Sequence, residues 1–218
     1  MIQLNPSECR VLGVLVEKAH TSSAYPLSLN AATDGCNQKS NRDPVVAYDE
    51  QAVMQALDGL RDKRLAIFAD SLGARVTKFR HNAREALGLA EGELLVLTEL
   101  LLRGPQTAAE LRTHASRMRP LESVEVVQEA LRTLMDRPEP LVQRIPGGRA
   151  ERFAQLLCPA LHSLAEPPAS ANDSPVATPD AADRIARLET EVARLRDSLE
   201  RLAAALGAAD ILNPPDPQ

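Results

Sequence analysis

The sequence contains very few aromatic residues: tryptophan is absent, and phenylalanine and tyrosine together make up 2%. Apolar residues nevertheless account for 44% of the 218 positions. A core must therefore be built from leucine, valine and alanine, which favours helices. Cysteine is also scarce, since Cys9, Cys36 and Cys158 are odd in number and form no CxxC pair. This pattern argues against a disulfide framework and predicts a reducing compartment.

Long hydrophobic runs are missing as well. No apolar stretch approaches the roughly 18 residues needed to cross a bilayer. The opening residues, MIQLNPSECR, do not have the basic segment and apolar run of a signal peptide. The sequence therefore predicts a cytoplasmic protein without a membrane partner.

The sequence also lacks the common catalytic and cofactor-binding motifs. The histidines His20, His81, His114 and His162 lie far apart, and none has a second ligand at metal spacing. There is no GxxxxGK[ST], no GxGxxG after a strand and no GxSxG. Cys9 and Cys36 fall among apolar positions, which is typical of inert, buried thiols. We therefore expect no metal, no cofactor and no enzymatic activity.

Charge is distributed unevenly along the chain, whose formal net charge is −5. Residues 1–85 carry 11 Lys/Arg and 10 Asp/Glu, and residues 86–165 carry 9 and 10. Residues 166–218 carry 5 and 10. The acidity therefore lies in the last quarter of the chain, and the nearly neutral remainder neither requires nor excludes a polyanionic partner.

Three helices and a hairpin are predicted in the first part of the chain. Asn5-Pro6-Ser7-Glu8 is a capping box that opens a first helix, and a second helix is expected from Pro26 to about Gly35. A third helix is expected from about Asp49 to Arg64. The segments 65–69 and 75–79 flank a turn and predict a short hairpin.

The same order of elements recurs after residue 90. A leucine-rich helix stops at Gly104-Pro105, a capping box at Thr107 to Glu110 opens a short helix to about Met118, and Ser123 caps another helix. Segments 141–145 and 151–157 make a second hairpin. The third helices match at an offset of 74 residues and the first helices at 85, so the first copy contains about eleven extra residues. These fall mainly around residues 36–44, CNQKSNRDP.

Three helices followed by a two-stranded hairpin is the plan of a winged helix-turn-helix domain. The sequence therefore predicts a mainly α protein with small β-hairpins (α+β), built from tandem winged helix-turn-helix domains and a C-terminal coiled-coil helix. The predicted boundaries are 1–82 for the first domain and 88–162 for the second. A flexible linker is predicted at 166–182 and a coiled-coil helix at 183–207.

Several segments resemble a known family. LNPSECRVLGVLVEK, YPLSLNAATDGCNQKSNRDP and EGELLVLTELLLRGPQTAAELR are similar to the YceH family of uncharacterised bacterial proteins. The resemblance covers about residues 4–160 and implies a tandem winged-helix fold. It implies no substrate, cofactor or catalytic residue.

The C-terminal segment has a heptad pattern. Residues 166–182 are rich in proline, alanine, serine and aspartate, which is typical of a flexible linker. Apolar residues then recur at alternating spacings of three and four. They are Ile185, Leu188, Val192, Leu195, Leu199 and Leu202. This spacing predicts a parallel homodimeric coiled coil, and the alternative is an amphipathic helix folded back onto its own chain.

The polar run at residues 36–44 permits two compatible interpretations. Asparagine, serine and aspartate readily bond to nearby backbone, so the loop is expected to build a structural corner that ends at Asp43-Pro44. Alternatively, Gln38, Lys39, Ser40 and Arg42 contact a phosphate or a partner.

Double-stranded DNA is the partner that a winged-helix fold first suggests. The candidate phosphate-contacting residues are Lys39, Arg42, Arg61, Lys63, Arg64, Arg75, Lys78 and Arg80. Asp49, Glu50 and Glu125 lie at the leading ends of the third helices, where they would repel phosphates in the major groove. The rival hypothesis is therefore a protein-interaction adaptor without direct DNA contact.

Overall fold

The structure, a computed structural model, describes residues 2–69, 76–145, 150–162 and 194. The chain divides into two compact units, Met1–Glu166 and Pro167–Gln218, and every element named below lies in the first. The observed class is α+β, with helices and two small antiparallel sheets. The predicted linker at 166–182 and the six heptad residues of the predicted dimer helix lie outside the described residues, so both stay predictions.

The first copy of the repeated order runs from α1 to β3. Its helices are α1 (Pro6–Thr21), α2 (Leu29–Cys36) and α3 (Glu50–Asp62). Its strands are β1 (Leu27–Ser28), β2 (Ala66–Phe68) and β3 (Lys78–His81). They form an antiparallel sheet in the order β1-β3-β2, so β3 is the central strand.

The second copy repeats this order after a short connecting helix, α4 (Ala83–Leu87). It contains α5 (Glu91–Arg103), α6 (Ala108–Ala115) and α7 (Val124–Met135). Its antiparallel strands are β4 (Val142–Ile145) and β5 (Arg152–Gln155), and the 3-10 helix Pro159–Leu161 follows. Gln106 bridges Phe153 just before α6, at the position that β1 occupies just before α2.

The predicted helix starts are confirmed by side-chain caps. Asn5 accepts from the backbone amide of Glu8 at 2.8 Å, and the Glu8 carboxylate accepts from the amide of Asn5 at 2.9 Å. Thr107 and Glu110 make the same reciprocal pair at α6, and Ser123 caps α7. These caps satisfy amides that have no partner within a helix.

Two local predictions are wrong. The second helix starts at Leu29 instead of Pro26, because Leu27 and Ser28 pair with β3 and Ser28 caps the helix. The first hairpin is thus part of a three-stranded sheet, and its return strand begins at Lys78 instead of residue 75. The segment between the copies contains α4, which is followed by Gly88 in the left-handed conformation with φ +60°.

The two copies share one hydrophobic core. Helix α1 is buried from Glu8 to Glu17, and α5 is buried from Leu94 to Leu102. The two helices pack against each other at Gly13, where a Cβ atom would lie 2.8 Å from Cδ2 of Leu102. The backbone amide of Leu4 also donates to the carbonyl of Leu157 at 2.8 Å. The predicted domain boundaries at residues 82 and 88 therefore lie between two copies that pack closely against each other. The division of the chain into two domains at these residues stays a prediction.

Candidate functional site

The polar loop, residues 36–44, is held in place by its own side chains. The Asn37 amide group donates to the Tyr48 carbonyl and accepts from the Tyr48 amide, both at 2.7 Å. Asn41 has φ +61°, a left-handed conformation that asparagine tolerates better than most residues. These bonds agree with the interpretation of the loop as a structural corner.

Arg42 is the anchor of the polar loop. Its side chain is fully buried and grips the Glu17 carboxylate with two nitrogens, at 3.1 and 2.5 Å. It also donates to the carbonyl of Gly35 and to the side chain of Gln38. Because its donors are used inside the fold, Arg42 is not available to a phosphate, contrary to the sequence-based hypothesis.

The loop also joins the two copies. The Asp43 amide donates to the Leu102 carbonyl at 2.8 Å, and Arg103 donates to the side chain of Asn41. Nε2 of His162 donates to the Asp43 carbonyl at 2.7 Å. The extra residues of the first copy are therefore used to bind the second, a role that the sequence pattern did not indicate.

The exposed side of the loop forms one wall of a polar cleft of about 510 Å³. Helix α1 contributes a second wall, and residues just after α6 contribute a third. The lining residues are Glu17, Lys18, Thr21, Gln38, Lys39, Ser40, Asn41, Arg117 and Met118. This volume is within the range of small-molecule sites, about 300–1,000 Å³.

The structure places the predicted nucleic-acid residues in different surroundings. Arg61 pairs with Asp58 and lies over the Phe68 ring at 3.7 Å, and Lys63 bonds to the buried Glu8 carboxylate at 2.6 Å. Lys39 lies in the cleft. Arg75 lies outside the described residues. Three of the predicted residues remain exposed on the first sheet or just before it. They are Arg64, Lys78 and Arg80.

These three cations lie close to the central strand of the first sheet. Lys78 and Arg80 are exposed and alternate with the buried Phe79. Their cross-strand neighbours are Ser28 and Ile67, neither of which carries a negative charge. Arg64 is in the left-handed conformation, φ +61°, and its carbonyl accepts from the Asn82 side chain at 3.0 Å, next to the end of β3.

The unpaired cations of the described residues all belong to the first copy or to α4. In those residues the side chains of Lys39, Arg64, Lys78, Arg80 and Arg84 make no hydrogen bond or ion pair. By contrast, every described arginine of the second copy donates to a carboxylate, a backbone carbonyl or the Asn41 side chain. Sequence analysis missed Arg84 because it lies between the two predicted domains.

Arg80 and Arg84 meet at a second hollow, of about 250 Å³. His20, Tyr25 and His81 also line it, together with Glu85 and Glu91. The Tyr25 hydroxyl accepts from the backbone amide of His81 at 2.7 Å. Burial, followed by the nearby His20, lowers the pKa of His81, so its ring is neutral near pH 7.

We call Arg64, Lys78, Arg80 and Arg84 the basic surface.

The cysteines are buried and unpaired by disulfides, as the apolar pattern indicates. Burial is the main cause that raises the pKa of the Cys9 thiol, and it raises the pKa of Cys36 to about 12. Neither thiol is therefore a reactive thiolate near pH 7. His162 is buried as well.

Among the residues that the structure describes, no group of three or more His, Cys, Asp or Glu side chains could hold a metal ion. No described helix is long and apolar enough to cross a membrane.

The fold and the basic surface define a helical α+β protein with a cation-rich face on one small sheet. Residues 4–152 match the family described as "Protein of unknown function, DUF480", and the chain belongs to that family. This confirms the expected membership of an uncharacterised bacterial family, while the YceH name stays a prediction.

Curated relatives extend the similarity along most of the chain. A UPF0502 protein of Pelobacter propionicus is 50% identical over 204 residues, which are 91% of this chain and 93% of the relative. A UPF0502 protein of Geobacter sulfurreducens is 48% identical over 206 residues, 89% and 90% of the two chains. A UPF0502 protein of Burkholderia lata is 41% identical over 213 residues, 94% and 90%.

Proposed function

We propose that each copy is a winged helix-turn-helix domain and that the protein binds double-stranded DNA through the basic surface. The domain assignment is supported by the recurring order of three helices and a hairpin. It is supported further by the strand order β1-β3-β2, in which a short strand before the second helix pairs with the hairpin. In this fold the hairpin is the wing, and wings contact the DNA backbone.

The observation that carries DNA binding is the distribution of unpaired cations. Arg64, Lys78, Arg80 and Arg84 lie on or beside the wing of the first copy and make no hydrogen bond or ion pair among the described residues. An unpaired cation loses no protein partner when it contacts a phosphate. The left-handed conformation of Arg64 belongs to the cap that ends α3, in which the Arg64 amide donates to the Arg61 carbonyl and the Leu65 amide donates to the Leu60 carbonyl, both at 2.8 Å.

The contacts are proposed to be with the DNA backbone instead of base edges. The exposed faces of the third helices are acidic, with Glu50 and Asp62 on α3 or its end and Glu125 and Glu129 on α7. Such faces would be repelled by the phosphates that border the major groove. Binding through the wing alone fixes the position on the duplex without reading its sequence.

A duplex titration at two salt concentrations tests this function. Four phosphate contacts predict a slope of about −3.6 in log K against log salt, which is about a 150-fold loss of affinity between about 50 and about 200 mM. The double variant Lys78→Glu/Arg80→Glu should weaken binding of a random-sequence duplex and reduce the slope by about 1.8. Fluorescence anisotropy of a labelled duplex measures both.

The matched control is Arg132→Glu/Arg144→Glu, which reverses two arginines that already pair with Glu129 and Glu151. It changes the net charge by the same amount and should leave the slope unchanged. Equal losses in both double variants, or no binding at about 50 mM salt, would refute the proposed surface.

A protein-interaction adaptor is the second candidate, favoured by the acidic third helices. Val126 of α7 is 43% exposed between Glu125 and Glu129, so an apolar contact with an acidic border faces solvent. A partner with a basic, partly apolar surface would fit it. Val126→Glu with Glu129→Arg should abolish capture of such a partner and leave duplex binding unchanged.

Self-association through residues 183–207 is part of the proposal, as is binding without catalysis. The support for self-association is the heptad spacing of Ile185, Leu188, Val192, Leu195, Leu199 and Leu202. Light scattering should give the mass of a dimer for the full chain and of a monomer after deletion of residues 183–218. A dimer that survives the deletion would reject this assignment.

A further inference from the structure

The polar cleft is a second site where charge, shape and free donors coincide. Its lining includes the cations Lys18, Lys39 and Arg117 and a single carboxylate, that of Glu17. Both Glu17 oxygens accept hydrogen bonds from the buried Arg42. The Arg42 guanidinium therefore compensates the negative charge of this carboxylate. The open face of the cleft is positive, although the net charge of the chain is −5.

The cleft also presents hydrogen-bond donors without protein acceptors. Among the described residues, the Lys39 ammonium and the Ser40 hydroxyl make no hydrogen bond. Arg117 uses Nε for the His114 carbonyl at 3.1 Å and Nη2 for Glu99 at 3.4 Å. Its Nη1 has no acceptor in this part of the chain, and a guanidinium edge of this kind fits phosphate or carboxylate oxygens.

The walls of the cleft come from both copies. Lys18, Lys39 and Ser40 belong to the first copy, and Arg117 and Met118 belong to the second. The polar loop is itself tied to the second copy, where Asn41 accepts from Arg103. A ligand that contacts Lys39 and Arg117 together would bridge the copies and stabilise their packing.

We infer that the cleft binds a small polyanion, a molecule with phosphate or clustered carboxylate groups. The volume of about 510 Å³ exceeds what a bare phosphate requires. The anionic group would contact Lys39, Ser40 and Arg117, and the rest of the molecule would extend along α1 past Thr21 towards Met118. This site is separate from the basic surface and does not depend on DNA binding.

Isothermal titration calorimetry of the full chain with pyrophosphate, at constant ionic strength, tests the inference. Wild-type protein should bind pyrophosphate, and Lys39→Glu should weaken binding about 10- to 100-fold, the value of one charge-assisted hydrogen bond. Lys39 has no protein partner among the described residues, so this variant should fold normally. Arg117→Lys keeps the ion pair with Glu99 and should weaken binding several-fold through loss of the planar fork.

The matched control is Lys78→Glu, the same charge reversal on the basic surface. It should keep pyrophosphate binding and lose duplex affinity, whereas Lys39→Glu should do the opposite. A parallel titration with citrate shows whether carboxylates also bind, and binding by either anion that is lost in Lys39→Glu supports the site.

Three outcomes overturn the inference. The first is that wild type binds neither anion. The second is that Lys39→Glu and Lys78→Glu weaken anion binding equally, which would mean a general response to charge. The third is that Lys39→Glu reduces duplex affinity as much as Lys78→Glu, which would make the cleft part of the DNA surface.

Discussion

Arg42 illustrates why residue type alone is a weak guide to function in this chain. Sequence reasoning grouped it with Lys39 because both are cations in one polar run. The structure buries the Arg42 side chain against Glu17 and leaves Lys39 exposed in the cleft. The distinction depends on a carboxylate 25 positions earlier in the chain, and no local pattern identifies that partner.

Loss of the buried ion pair should be costly. Arg42→Met removes both charge-assisted hydrogen bonds from the buried Glu17 carboxylate and leaves only the Lys18 ammonium at 3.7 Å, so the free energy of unfolding should fall by about 3–5 kcal/mol. The double variant Glu17→Gln/Arg42→Met should recover part of that loss. Urea unfolding followed by circular dichroism measures all three proteins.

Arg132→Met is the control for this prediction, because Arg132 is exposed and its pair with Glu129 is solvated. Its free energy of unfolding should change by less than about 0.5 kcal/mol. A loss below about 1 kcal/mol in Arg42→Met would mean that the buried pair is not an anchor.

His162 should make stability depend on pH. Burial lowers its pKa below 6.5; the hydrogen bond and charge of Asp43 oppose this shift, and Arg10 adds to it. Below pH 6.5 the unfolded chain therefore binds a proton at His162 that the folded chain does not. The free energy of unfolding consequently falls as pH falls. His162→Gln can still donate to the Asp43 carbonyl. The difference in free energy of unfolding between wild type and His162→Gln should shrink from pH 7 to pH 5, and a constant difference would contradict the assignment.

At the scale of elements, the sequence predicted the helices whose own residues indicate them. Capping residues mark the starts of α1, α6 and α7, and apolar residues at helical spacing mark their buried faces. Strand β1 has two residues, which are too few to show the alternation of a strand. It forms because it pairs with β3. Helix α4 has five residues and no resolvable period. The basic surface was predicted in part, through Arg64, Lys78 and Arg80. The pair between Lys63 and Glu8 is tertiary, whereas Arg61 pairs with Asp58 three positions earlier in the same helix.

Close packing of α1 on α5 should not tolerate a larger residue at Gly13. A Cβ there would lie 2.8 Å from Cδ2 and 2.9 Å from Cγ of Leu102. Gly13→Val should lower the free energy of unfolding by about 1–3 kcal/mol through overpacking. The control is Gly92→Ala in the first turn of α5, where a Cβ meets nothing within 4 Å. This change should be neutral or stabilise the protein by up to about 1 kcal/mol, because alanine favours helices over glycine.

At the scale of the whole molecule, the shared core predicts a single unfolding transition for the two copies. Residues 2–162 contain both α1 and α5, whose buried faces complete each other. Calorimetry should show one transition with equal calorimetric and van't Hoff enthalpies, about 110 kcal/mol at about 0.7 kcal/mol per residue near 60 °C. A fragment of residues 1–82 should not unfold cooperatively. Two separate transitions, or a stably folded fragment, would show that the copies are independent domains.

The bond between Leu4 and the carbonyl of Leu157 has a consequence for synthesis on the ribosome. Translation at about 5–20 residues per second separates the emergence of these two partners by about 8 to 30 s. Until α5 emerges, which happens before Leu157, the apolar side of α1 has no partner helix against which to pack, so the nascent first copy exposes leucine and valine to its surroundings. Chaperones that bind emerging apolar chains would therefore meet this protein early, and release would follow completion of the second copy.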